Sequence, residues 1–218
     1  MSQSGESVTE NIISLNKFRP RQKVNPLRLV EGYWEALREG TDIPKRSDIN
    51  PRGLVDVLEH VFILERVAPG VARFRIAGSQ WNHLAGMEVR GVPISSFFRS
   101  TRRNDMAAAL EACFDTPASV EATLLARSLQ QAPEVPGRML LLPMRCDLGR
   151  ISRILGAIKM SGPLVSDAYR LQLDDVQVTP LLDVQEDVPP TRPQLAEAPA
   201  PFTGRPNLQL VHSADPVS

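Results

Sequence analysis

Stretches in which apolar and polar residues alternate constrain this chain more than any other feature. In residues 71–77, Ala72, Phe74 and Ile76 fall on one side, and Arg73 and Arg75 on the other. Residues 120–129 set Val120, Ala122, Leu124 and Ala126 against Glu121, Thr123 and Arg127. Residues 138–148 set Leu140, Leu142, Met144 and Cys146 against Met139, Leu141, Arg145 and Asp147. Residues 153–160 set Ile154, Gly156, Ile158 and Met160 against Arg153, Leu155, Ala157 and Lys159. A period of two belongs to extended backbone with one face against a core. With the apolar run 61–67, the pattern predicts five antiparallel strands. Pro69-Gly70 turns the first into the second, and Gly149-Arg150 the fourth into the fifth. Pro143 lacks an amide proton, so it marks an edge position or a bulge. Residues 169–176 are left open as a last short strand.

Helix signals fill the gaps. Asn25-Pro26 is a cap followed by proline at the first helical position. Leu27, Val30, Trp34 and Leu37 then recur at three- and four-residue steps, which predicts an amphipathic helix over residues 26–39, stopped by Gly40. Trp34 reads first as its core anchor. Asn50-Pro51 repeats the start signal for a short helix over 51–58. A short helix over 79–85 takes Ser79 as its cap, and a longer one over 102–114 buries Met106, Ala109, Leu110 and Phe114. Five strands with helices inserted after the second make an α+β domain, with the helices across one sheet face.

The ends differ from the middle. Residues 1–24 read as a flexible arm and 25–165 as the domain with its N-terminal helix. Residues 166–182 read as a short extension. Residues 183–218 are rich in proline and poor in apolar residues, so a disordered tail is expected. Lysine plus arginine balances aspartate plus glutamate at 25 each, which leaves no global field to attract nucleic acid. The basic run of Lys17, Arg19, Arg21, Lys23 and Arg28 is expected to be solvated, and neither nucleic acid nor membrane is an expected partner. Cys113 and Cys146 form no metal-ligand spacing or disulfide framework, which fits a reducing, cytoplasmic setting.

No residue set has the spacing of a catalytic or metal centre. Of three histidines, His212 lies in the tail, His60 opens a strand, and His83 follows Trp81 in a helical segment. His83 is a candidate ligand-binding residue, and through a neutral ring nitrogen a haem ligand, although no haem, flavin or other cofactor is expected. Phe74, Ile76, Trp81, Phe97, Leu110, Leu142, Met144 and Ile158 form the candidate interior. They either line a small-molecule pocket or close-pack as a core. Leu141 and Leu155, on the more polar faces of their strands, suggest an apolar sheet patch that the helix bearing Trp34 covers in part, or that a second subunit covers. Lys45, Arg46, Asp48, Arg73 and Arg75 have no evident structural duty and complete the candidate interaction set with Trp34, Leu141 and Leu155.

One succession of motifs goes further. It runs Pro44-Lys45-Arg46-Ser47-Asp48-Ile49-Asn50-Pro51, His60-Val61-Phe62-Ile63-Leu64-Glu65, Arg73-Phe74-Arg75-Ile76-Ala77-Gly78-Ser79 and Gly86-Met87-Glu88-Val89-Arg90-Gly91. It resembles a PAS-like family common in alphaproteobacteria, whose members often occur as stand-alone PAS proteins. The resemblance covers about residues 27–161. It implies a PAS-like five-stranded sheet and a signal-input or protein-docking role in bacterial regulation. It also implies a homodimer formed through the sheet or the N-terminal helix, with protein partners. PAS domains that bind flavin covalently carry a cysteine in a recognisable helix motif, which is not found here; Cys113 reads as a small apolar filler.

Overall fold

The computed structural model describes residues 25–40, 42–128, 133–164 and 168–181. The expected arm (1–24) and proline-rich tail (183–218) lie outside the described residues. The fold is α+β, built on one antiparallel six-stranded sheet in the order β2-β1-β5-β4-β3-β6. The strands are β1 (Val61–Ala68), β2 (Val71–Ala77), β3 (Ala118–Ser128), β4 (Val135–Arg145), β5 (Ile151–Met160) and β6 (Tyr169–Pro180). The stretch left open at 169–176 is thus a full edge strand, longer than its apolar pattern, and it raises the expected five strands to six. It is recruited by pairing with β3, from Ser128↔Tyr169 to Ala118↔Pro180.

Both faces of the sheet are covered. On the inner face lie α2 (Ser79–Ala85), the 3-10 helix Ile94–Phe97 and α3 (Arg103–Phe114), packed on a cluster that includes Phe62, Leu64, Phe74, Leu141, Ile154 and Ile158. On the outer face lie α1 (Pro26–Ala36) and the 3-10 helix Pro51–Val57, over Val61, Ile63, Leu140, Leu142, Met144, Leu155 and Ala157. Helix α1 begins as its sequence dictates: Asn25 accepts from the Leu27 amide at 3.3 Å, with proline following the cap. It ends at Ala36, short of the expected residue 39. Helix α2 is capped by Gly78, not by Ser79 as expected.

One predicted face assignment differs here. In β4, Leu141 faces the inner cluster while Leu140, Leu142 and Met144 face α1. A central strand covered on both sides has no polar face, so 140–142 read as three leucines without a phase. Pro143 is tolerated without an edge strand because the β3–β4 register begins at Val120↔Leu141; a bulge follows at Met144/Arg145.

The β1 hairpin is tied to α3 through Arg66. Its guanidinium pairs with Glu111 and, at 2.6 Å, with Asp115, and it stacks over Phe114 at 5.2 Å. Glu111 also accepts from the Gly70 amide at 2.7 Å. The hydrogen bond from Arg66 holds the Asp115 carboxyl below the usual carboxylate range. A folded-state value below the unfolded one contributes stability above the ordinary carboxylate range and loses it as pH falls through the lowered value. Arg66→Ala is expected to cost on the order of 1 kcal/mol in urea unfolding at neutral pH. The difference from wild type should shrink at acid pH and in high salt.

Candidate functional site

The inner face carries the most distinctive constellation. Phe62 from β1, Phe74 from β2, Trp81 from α2 and Phe97 from the following 3-10 helix form one ring cluster. Phe74 and Trp81 lie 4.8 Å apart between ring centroids, Phe62 and Trp81 5.4 Å, Trp81 and Phe97 5.9 Å, and Phe74 and Phe97 6.0 Å. These are edge and tilted contacts of the kind aromatic quadrupoles favour. Gly156 on β5 makes room for the cluster: a Cβ there would stand 2.2 Å from the Phe62 ring. Trp81 is fully buried, yet its indole Nε1 has no hydrogen-bond partner.

Of the candidate interior residues, Phe74, Trp81, Phe97, Leu110 and Ile158 converge in this inner cluster. Leu142 and Met144 do not; they belong to the outer cluster beneath α1. Ile76 is 49% exposed. A bulge puts Phe74 opposite Leu64 but Ile76 opposite Ile63, so one extra residue, Arg75, reverses the alternation beyond it. His83 is exposed in the last turn of α2, outside the cluster. His60 is committed to the sheet, with Nδ1 2.9 Å from the Ile158 carbonyl.

The candidate interaction residues also separate. Trp34 is buried in the outer cluster, and its Nε1 donates to the Pro143 carbonyl at 3.0 Å. Leu155 lies beside it and Leu141 on the opposite face. Leu141 and Leu155 therefore share no sheet patch: Leu155 is buried beneath α1 and Leu141 in the inner core. Asp48 has a structural duty after all: it accepts from the Lys45 amide at 2.8 Å and closes the 3-10 turn Arg46–Asp48. Lys45 bridges to Arg145 at the end of β4, and Arg46 is half-buried in the same turn. Arg75 pairs with Glu65, which also takes Arg153 at 2.7 Å. Arg73 is exposed opposite Glu65.

Two open grooves lie outside the cluster. One, of about 460 Å³, runs between α3 and β6 and includes Arg102, Ala108, Leu173 and Val178. The other, of about 220 Å³, is lined by Arg75, Ile76, Ala77, Asn82, Glu88 and Arg90. Sequence reasoning missed Asn82 and Glu88, and no local pattern announces them. Among the described residues, no group of three His, Cys, Asp or Glu is placed to hold a metal ion, and no helix is long and apolar enough to cross a membrane.

The thiols contrast. Burial pushes the Cys113 thiol up, beyond the range where it ionises. Cys146, half-buried at the β4–β5 turn, is lowered by a hydrogen bond from Ser152 and by the amides of Leu148 and Arg150. Alkylation of native protein is therefore expected to label Cys146 first, and Cys113 only on unfolding. Peptide mass mapping checks this.

A family model described as PAS domain matches residues 22–159. The chain belongs to the PAS domain family. The match ends within β5, so β6 lies beyond it. No curated protein matches the chain. Among solved structures it is similar to an RNA-binding light-oxygen-voltage receptor, at 15% identity and a TM-score of 0.35, over 72% of this chain and 36% of the receptor. The chain therefore spans about a third of that receptor. It is also similar to a light-oxygen-voltage domain from work with a flavin analogue, at 12% identity and a TM-score of 0.37, over 51% of this chain and 83% of that domain. As a PAS domain, the chain is a signalling and sensor module.

Proposed function

We propose that this PAS domain acts by contact with a protein partner in a bacterial regulatory pathway, as a cytoplasmic homodimer and without catalysis. The packing over the inner face carries this reading. Four rings from four elements fill the space between sheet and helices where a ligand would sit. The exposure of His83 outside the cluster and the burial of Cys113 in α3 support a domain without a histidine-ligated haem or a covalently attached flavin. The β6 edge, with Val178 48% exposed, supports self-association. Light scattering of the purified chain is expected to give a dimer, and affinity capture a specific partner. A strict monomer that captures nothing would overturn the proposal.

One observation favours a second reading, sensing of a small molecule in the interior. The Trp81 Nε1–H is a buried donor without an acceptor, a situation that disfavours the closed state by about 1–3 kcal/mol. A ligand bearing an acceptor would relieve it. Trp81→Phe removes the donor and keeps a ring: under the contact reading it captures the partner as wild type does, and under the sensing reading it binds the ligand about tenfold more weakly. Native mass spectrometry and the absorption spectrum should show a colourless protein without bound small molecule; a retained ligand would favour sensing.

A further inference from the structure

We propose that the open end of β2 is the docking site for an acidic segment of a protein partner that carries an aliphatic side chain. This rests on the reading of the chain as a module that works by protein contact, and it names the contact. Strand β2 is a sheet edge. The segment following α2 covers that edge only as far as Phe74: the Gly91 amide donates to the Phe74 carbonyl at 2.8 Å, the Phe74 amide donates to the Val92 carbonyl at 3.1 Å, and Arg73 bridges to Pro93. No described residue carries that pairing on to residues 75–77. The bulge comes at this point and turns Ile76 outward, 49% exposed, into the groove of about 220 Å³. An aliphatic side chain on a bare strand end is what an added extended segment would cover.

The charges around it select the partner. Arg75 and Arg90 line the groove and Arg73 stands on the same strand, against Glu88 in the groove, Glu65 across on β1 and Glu59, whose carbonyl takes the Gln80 amide. Glu65 is already held between Arg75 and Arg153. The side chains of Arg73 and Arg90, both exposed, have no hydrogen-bond or ion-pair partner among the described residues. Guanidinium forks suit carboxylates in pairs, and these two unpaired guanidiniums would repel a basic segment. A nucleic-acid backbone is the poorer match. Three glutamates stand in or beside the patch, and the groove offers one small apolar seat rather than a long phosphate track.

The test uses the full chain and labelled peptides in fluorescence anisotropy. A Val-Ile pair is flanked by carboxylates in one peptide, by the corresponding amides in a second and by lysines in a third; a labelled single-stranded RNA is the fourth probe. The acidic peptide should bind saturably, with the amide peptide about tenfold weaker and the lysine peptide weaker still. Arg90→Glu, at an exposed residue outside the core, should weaken the acidic peptide by about tenfold, and Ile76→Ser by about threefold. Equal binding of acid and amide peptides, no saturation of the acidic peptide, an unchanged Arg90→Glu affinity, or tighter binding of the RNA would each overturn the proposal. If a partner is captured equally by wild type and Arg90→Glu, protein contact stands and this site falls.

Discussion

Trp34→Ala is expected to be among the most damaging single substitutions in the domain, lowering stability by about 4 kcal/mol. The indole is fully buried between α1 and the outer sheet face, among Leu142, Met144 and Leu155. Its Nε1 donates to Pro143, whose own amide position has no proton to give. The truncation therefore removes a large apolar body and leaves a buried carbonyl without its partner. Urea unfolding should show a lower midpoint with an unchanged slope. A loss below about 1 kcal/mol would mean that α1 is not seated on the sheet in solution.

Gly156→Ala is the second. Most added methyls find room or displace the flexible end of a side chain. Here the new carbon would meet three atoms of the Phe62 ring, at 2.2, 2.3 and 2.8 Å. That ring is locked by Phe74 and Trp81. Phe62 is also the β1 residue paired directly with Gly156, so strand and ring would have to move together. The expected cost is about 3 kcal/mol. Near-ultraviolet circular dichroism of the variant should lose the signal of the ring cluster. Gly156→Ala combined with Phe62→Leu should recover part of the stability, because the smaller side chain vacates the space. Wild-type stability of the single variant would show that the cluster is looser than these distances describe.

The alternating stretches were legible because each is a local consequence of one buried face, and the Asn25-Pro26 and Asn50-Pro51 caps because each is a local backbone signal, whereas Ser79 is not the cap of α2. Strand β2 as far as Phe74, the α1 stripe of Leu27, Val30 and Trp34, and the α3 face of Met106 and Leu110 lie where their periods place them. What could not be read was decided at a distance. Leu140, Leu141 and Leu142 divide between two cores, and an unbroken apolar run cannot state which goes where. Ile76 continues the alternation on paper, but one bulged residue in the pairing with β1 expels it. Strand β6 carries Asp174, Asp175 and Gln177 from its middle onward, and pairing with β3 holds it in the sheet. Phe74, Trp81 and Phe97 were legible as interior residues. The ends of their elements bring them together, and Phe62 joins them because Gly156 lies opposite.

Helix α1 competes with every other ligand of the surface beneath it. It covers the outer face through Val30 and Trp34, and Arg38 just beyond it holds the Leu181 carbonyl at 3.2 Å, at the end of β6. A partner that uses this face meets a surface available only in the fraction of molecules whose helix has lifted. An undocking free energy of about 3 kcal/mol leaves ~0.6% of the chains open and weakens the apparent affinity by about 160-fold. Weakening the helix seat would then raise affinity for such a partner while lowering stability. The uncovered end of β2 carries no such handicap.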